Sequence, residues 1–221
     1  MEWHLTDAQS LANIDREIDE ALAFMYSNED VSSKSRSAYR HFSAAEYEIA
    51  RRIIYTTGDF EYKSLIEFSE RAIQAAAAAL ASRSTIVVDE ATVQAGIAKE
   101  VQNHFANPVY CATEIQTRPT KEKTHAAWGI EILAKRYPEG IFVVGKAPTA
   151  LTTLVHLIEA EKIRPVLIIA TPAAFINIDA AKNSLKESLT PNITISSRKG
   201  GATVAAAIVN GLIDLAWEAY G

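Results

Sequence analysis

The chain has 221 residues, 48% hydrophobic and 22% charged, the balance of a soluble globular protein with one good core or at most two small ones. A formal net charge of −5 argues against a nucleic-acid protein with a broad basic surface, so a bound anion must meet a local cluster of cations. The single cysteine, Cys111, excludes an intrachain disulfide and a cysteine-cluster metal site. No apolar run approaches the roughly 20 residues of a membrane span, and "MEWHLTDAQS" lacks the basic and apolar regions of a signal peptide, so a cytoplasmic protein is expected.

The first helix is expected in "TDAQSLANIDREIDEALAF", where Thr6 and Gln9 have capping-box spacing and Leu11, Ile14, Ile18 and Leu22 share a face. The polar, serine-rich stretch 27–42 has no period and reads as a mobile loop. Ser43 and Glu46 repeat the capping spacing before "YEIARRIIYTTG", a helix stopping near Gly58. "SLIEFSERAIQAAAAALAS" then reads as one long helix, because alanine is the best helix former.

From residue 85 the pattern alternates. "TIVVD" (85–89), "PVYCAT" (108–113), "IFVVG" (141–145), "PVLIIAT" (165–171) and "NITISS" (192–197) are short, apolar and β-branched, with helical stretches between or after them. Continuous apolar strands alternating with helices predict a parallel sheet covered on both faces. The expected architecture is a single α/β domain over 1–221, a doubly wound, parallel five-stranded sheet preceded by a helical N-terminal region.

In such a sheet ligands bind beyond the carboxyl ends of the strands, where helix N-termini also point. The residues there are Asp89-Glu90, Cys111–Thr113, Gly145-Lys146, Thr171-Pro172 and Ser197–Gly201. Two of these edges set cations beside glycines: Lys146 after Gly145, and Arg198-Lys199 before Gly200-Gly201. Glycine lets the backbone approach a ligand, and free amides at a helix start favour an anion. The same residues also serve as ordinary solvated turns. Neither stretch follows the P-loop or the dinucleotide fingerprint, so a nucleotide reading is weak. Trp128, Trp217 and Tyr220 fall on helices and read as core or interface aromatics, and His4, His41, His104 and His156 show no metal spacing.

Together these stretches resemble the precorrin-8X methylmutase family of cobalamin biosynthesis. "VVGKAPTAL" is similar to that family's V-x-G-N-A-P-T-A-L, "ATPAAFINIDAAKNSL" to G-M-P-V-G-F-V-x-A-x-x-S-K-x-x-L, and "ITISSRKGGATVAAAIVN" to I-x-x-x-G-R-x-G-G-S-x-x-A-A-A-x-x-N. "EIARRIIYTTGDFEY" resembles V-x-R-x-I-H-x-T-x-D, and the similarity runs in order from about residue 43 to 218. The resemblance implies a flavodoxin-like sheet, a homodimer, and an isomerase that moves a methyl group between adjacent ring carbons of precorrin-8 or cobalt-precorrin-8. It implies no redox cofactor and no catalytic metal.

The substrate implied is a flat corrinoid bearing many carboxylates, with neither nucleic acid nor membrane as a partner. The family's catalytic histidine falls on Tyr55, its G-N-A-P asparagine on Lys146 and an arginine on His125; Ile18 stands where an early serine belongs, while Arg52 matches. The resemblance therefore places the catalytic position at Tyr55 and substrate contacts at Arg52, Arg118, His125, Lys146, Thr149, Arg198, Lys199 and Gly200. The exchange of histidine for tyrosine leaves three readings open: the isomerase, a non-catalytic tetrapyrrole-binding or carrier paralogue, and a small-anion-binding module.

Overall fold

The computed structural model describes residues 5–27, 42–117, 119, 122–174 and 178–221. Arg118, His4, His41 and most of the expected 27–42 loop lie outside these residues. Helix α1 (Leu5–Ser27) buries Leu11 and Ile18. Ile18 is thus a core residue. Thr6 is the second residue of that helix, not its cap, and its carbonyl accepts from the Ser10 hydroxyl. Helix α2 (Ala44–Thr57) starts as expected, with Ser43 and Glu46 closing a capping box, and ends at Gly58 with a left-handed φ of 66°. The two helices are tied where Tyr47 and Arg51 both donate to Asp15, at 2.7 and 2.9 Å. Phe42, expected in the loop, packs edge-on against Phe68.

The expected long helix is instead three elements: α3 (Tyr62–Leu65), β1 (Ile66–Phe68) and α4 (Ala72–Ala81). Tertiary pairing overrides helix propensity here. Ile66, Glu67 and Phe68 pair antiparallel with Ile195, Thr194 and Ile193. Ser69 continues the seam, exchanging hydrogen bonds with the Asn192 backbone. Only from Ala72 does the alanine run become helical.

The remaining elements alternate as predicted: β2 (Ile86–Val88), α5 (Ala91–Asn103), β3 (Val109–Cys111), a 3-10 turn at Ala112–Glu114, α6 (His125–Arg136), β4 (Ile141–Val144), α7 (Pro148–Glu159), β5 (Leu167–Ala170), α8 (Ile178–Glu187), β6 (Asn192–Ile195) and α9 (Ala202–Tyr220). Among the described residues the sheet has six strands in the order β1-β6-β5-β4-β2-β3, one more than expected, because β1 adds an antiparallel edge. The five parallel strands keep the flavodoxin order. The chain runs from β2 to the β3 edge and returns past β2 to β4, which places the topological switch point between β2 and β4.

Period-two alternation divides the core between the two faces of the sheet. Ile86, Val88, Ile141, Val143, Ile169 and Ile193 pack against α2, α4, α5 and α9. Val87, Phe142, Val144, Ile168 and Ala170 pack against α6, α7 and α8. Helix α9 is by length and composition apolar enough to cross a membrane, but it directs most of that surface into the core, burying Val204 to Val209 and Gly211 to Asp214.

Candidate functional site

The switch point carries an anion of the chain's own. Asp89, at the end of β2 and fully buried, accepts from the backbone amides of Gly145 at 2.9 Å, Lys146 at 2.8 Å and Ala147 at 2.6 Å. Burial pushes the Asp89 carboxyl up, and these amide bonds pull it back. The expectation that the amides after Gly145 would receive a ligand anion is therefore corrected, since an internal carboxylate holds them. Lys146 itself extends into solvent and pairs with Glu90 at 2.9 Å, which raises its ammonium pKa.

Beside this turn Thr149 and Thr124 share a 2.7 Å hydroxyl hydrogen bond, and Thr124 caps α6 at His125. Lys146, Thr149 and the exposed His125 are thus neighbours. Gly145 also joins this group to the next one: a Cβ there would lie 2.6 Å from Val93 Cγ2 and 3.0 Å from Ala202 Cα, so glycine lets the β4 turn lie against α5 and the start of α9.

The turn between β6 and α9 is locked from three sides. Gly200, with φ 145°, lies so close to Thr171 that a Cβ would overlap the threonine carbonyl, and the Gly201 amide donates to that oxygen at 2.7 Å. Lys182 of α8, 3% exposed, donates to the carbonyls of Ile195 at 2.8 Å and Ser197 at 2.9 Å. Lys199 reaches Asp59 at 2.6 Å and Glu61 at 2.5 Å, binding this turn to the end of α2. The Lys199 bond holds the Asp59 carboxyl below its ordinary value. Arg198, between these anchors, is exposed.

Helix α2 supplies Arg52 and Tyr55, three residues apart on one face. They line a groove of about 320 Å³ whose far wall includes Gly96, Thr203 and Asn210. Arg52 pairs with Asp214 of α9. The Tyr55 hydroxyl donates to Asp7 of α1 at 2.7 Å, and this bond is the main cause raising the phenol's pKa. Of the two directions open to the phenol, an arginine lowering it or its surroundings raising it, the second prevails.

Tyr55, Arg52, Lys199 and Gly200 thus form one group, and Lys146, Thr149 and His125 a second, the two meeting at Gly145 and Ala202. Arg118 lies outside the described residues. Three of the expected cations come with acids of the chain itself: Lys146 with Glu90, Lys199 with Asp59 and Glu61, Arg52 with Asp214. A polycarboxylate ligand can exchange into the exposed Lys146 and Lys199 pairs at little Coulomb cost, whereas Arg52 and Asp214 are nearly buried.

The sequence profile of the family described as "CbiC: Precorrin-8X methylmutase" matches residues 7–215. The chain belongs to the precorrin-8X methylmutase family. It is 38% identical over 192 residues to the "Cobalt-precorrin-8 methylmutase" of Synechocystis, covering 80% of this chain and 88% of that one. A protein of the same name from Methanocaldococcus jannaschii is 30% identical over 83% of this chain and 92% of its own. The crystal structure of precorrin-8X methylmutase from Thermus thermophilus superposes with a TM-score of 0.72 at 31% identity, covering 84% of this chain and 94% of that one.

As a precorrin-8X methylmutase family member, the chain is an isomerase of cobalamin biosynthesis. Several residues that shape its strand-end surface escaped sequence reasoning. Asp89 stood at a strand end with no role assigned, because its partners lie 56 to 58 residues ahead. Lys182 carried a usable signal, a lysine between Ala181 and Leu185 on a face that is otherwise buried. Asp7, Asp59 and Asp214 gave none. Trp217 is half-exposed and packs edge-on against His104 and Phe105.

Proposed function

We propose that this isomerase moves a methyl group between adjacent ring carbons of precorrin-8 or cobalt-precorrin-8, giving hydrogenobyrinic or cobyrinic acid. The substrate's carboxylates meet Arg52, Arg118, His125, Lys146, Arg198 and Lys199, with Thr149 and Gly200 completing the surface. Tyr55 occupies the reacting position, and the enzyme works as a homodimer in the cytoplasm. The observation that supports this reading is that Arg52 and Tyr55 line one groove while Lys146, Arg198 and Lys199 stand on the turns that follow β4 and β6, in an otherwise acidic chain.

A methyl migration within one bound molecule asks chiefly for fixed geometry and a placed proton. At neutral pH the Tyr55 phenol keeps its proton, because the Asp7 bond raises its pKa above the ordinary tyrosine value of about 10. It acts as a hydrogen-bonding group oriented by Asp7, and the anchored turns hold the ring edge against it. The Lys199 tie between α2 and the β6–α9 turn keeps the phenol in register with the cations.

The same hydrogen bond favours a second reading, a corrinoid-binding protein without turnover, because a phenol bonded to a carboxylate gives up its proton reluctantly. Incubating the purified protein with precorrin-8 and recording absorbance separates the two. Conversion to the hydrogenobyrinic acid spectrum supports the isomerase of precorrin-8. An unchanged spectrum with tight binding selects the carrier, and no binding removes both.

A further inference from the structure

Helices α5 and α9 bring three ligating groups together on the far side of Arg52. Glu100 and His104 are one turn apart on α5, and Asp214 faces them from α9; one ligand atom from each lies within 4.8 Å of the other two. Asp214 is 7% exposed, and its Oδ2 accepts from Arg52. Among the described residues its Oδ1 has no donor at hydrogen-bond distance and instead faces His104 Nε2 at 4.0 Å. That is too long for a hydrogen bond.

The imidazole is oriented independently. His104 Nδ1 lies 2.8 Å from the main-chain oxygen of Glu100. An oxygen there only accepts, so Nδ1 carries a hydrogen and Nε2 is the ring nitrogen turned toward Asp214 Oδ1, while Glu100 Oε2 lies 3.7 Å from Nδ1. Metal-binding histidines are held this way, one ring nitrogen bonded to a carbonyl and the other aimed at the ion.

We propose that Glu100, His104 and Asp214 form a binding site for a divalent metal ion of the zinc type, bridging α5 and α9. One imidazole and two carboxylates are an ordinary zinc donor set, with water completing the coordination. Ligand atoms on tetrahedral zinc are separated by roughly 3.3–3.5 Å, so the 4.0 Å pair closes by a small side-chain movement. Arg52 keeps the second oxygen of Asp214, which steadies the carboxylate. The methyl transfer requires no metal here, although the site shares Arg52 with the proposed substrate surface.

The test uses untagged full-length protein stripped with chelator and titrated with zinc chloride by calorimetry. One saturable zinc ion per chain is expected, with His104→Ala weakening binding at least about tenfold and Glu100→Gln doing likewise. Cobalt(II) supplies a local readout: Trp217 packs 5.2 Å from the His104 ring, so its fluorescence falls on binding in the parent and not in His104→Ala. No saturable binding, or undiminished affinity in His104→Ala, overturns the proposal.

Discussion

The hydroxyl of Tyr55 on α2 donates to Asp7 in the first turn of α1, at 2.7 Å, so the N-terminal helix raises the pKa of this phenol. Removing the acceptor removes the main cause of the raised pKa. Asp7→Ala is expected to bring the Tyr55 phenol back toward about 10. Alkaline absorbance titration, with Tyr55→Phe subtracted to isolate this one tyrosine among eight, measures it. Identical titrations in parent and Asp7→Ala would refute the coupling.

Turnover of precorrin-8 should follow the same residue. Tyr55→Phe is expected to lose about a hundredfold or more if the hydroxyl takes part in proton transfer. Tyr55→His is expected to exceed the parent, because an imidazole exchanges protons near neutral pH. Equal rates for Tyr55→Phe and the parent would take Tyr55 out of the mechanism.

Arg198 is exposed on an anchored turn, and its planar fork suits a carboxylate. Arg198→Ala is expected to weaken corrinoid binding by about 1.5–3 kcal/mol, one charged hydrogen-bonding contact. Arg198→Lys should recover part of this. Absorbance titration compares the three proteins, and equal affinities would place Arg198 outside the site.

Arg52 and Asp214 are both nearly buried, with side chains 11% and 9% exposed. Asp214→Ala removes a nearly buried carboxylate that Arg52 pairs with and is expected to cost about 3 kcal/mol in urea unfolding. The double change Arg52→Met with Asp214→Leu should be close to the parent, since replacing a whole buried pair is often neutral. A double variant as unstable as the single one would contradict this account.

The Lys199–Asp59 bond carries a pH signature. Asp59 titrates below its unfolded value of 3.8, so its contribution to stability is complete above that pH. It is lost as pH falls through the lower folded pKa. Lys199→Met should therefore lower the melting temperature at neutral pH, while its curve converges with the parent's in strong acid. A constant gap down to the lowest pH at which both proteins fold would argue against the linkage.

Much of the fold was legible because it is local. Ser43 and Glu46 announce a helix start, Gly58 its end, and the β-branched runs after residue 85 the parallel strands. β1 was hidden because three residues pair with β6 more than 120 positions away, inside a segment whose own preference is helical. The candidate site was legible as a set of cations but not as a set of ion pairs. Lys146, Lys199 and Arg52 were visible in the chain, whereas Glu90, Asp59 and Asp214 become their partners only when the sheet closes. Gly200 was read as a turn residue; its close approach to Thr171 is a property of two adjacent strands.

Asp89 has a consequence for how this surface can change over time. Its carboxylate already satisfies the amides of Gly145, Lys146 and Ala147, so the part of the backbone most able to grip an anion is committed to holding the fold. Recognition is left to side chains set on rigid turns. Side chains there can be exchanged one at a time without unseating the strands. The architecture separates what keeps the sheet together from what selects the ligand, and so lets a lineage alter the second while conserving the first.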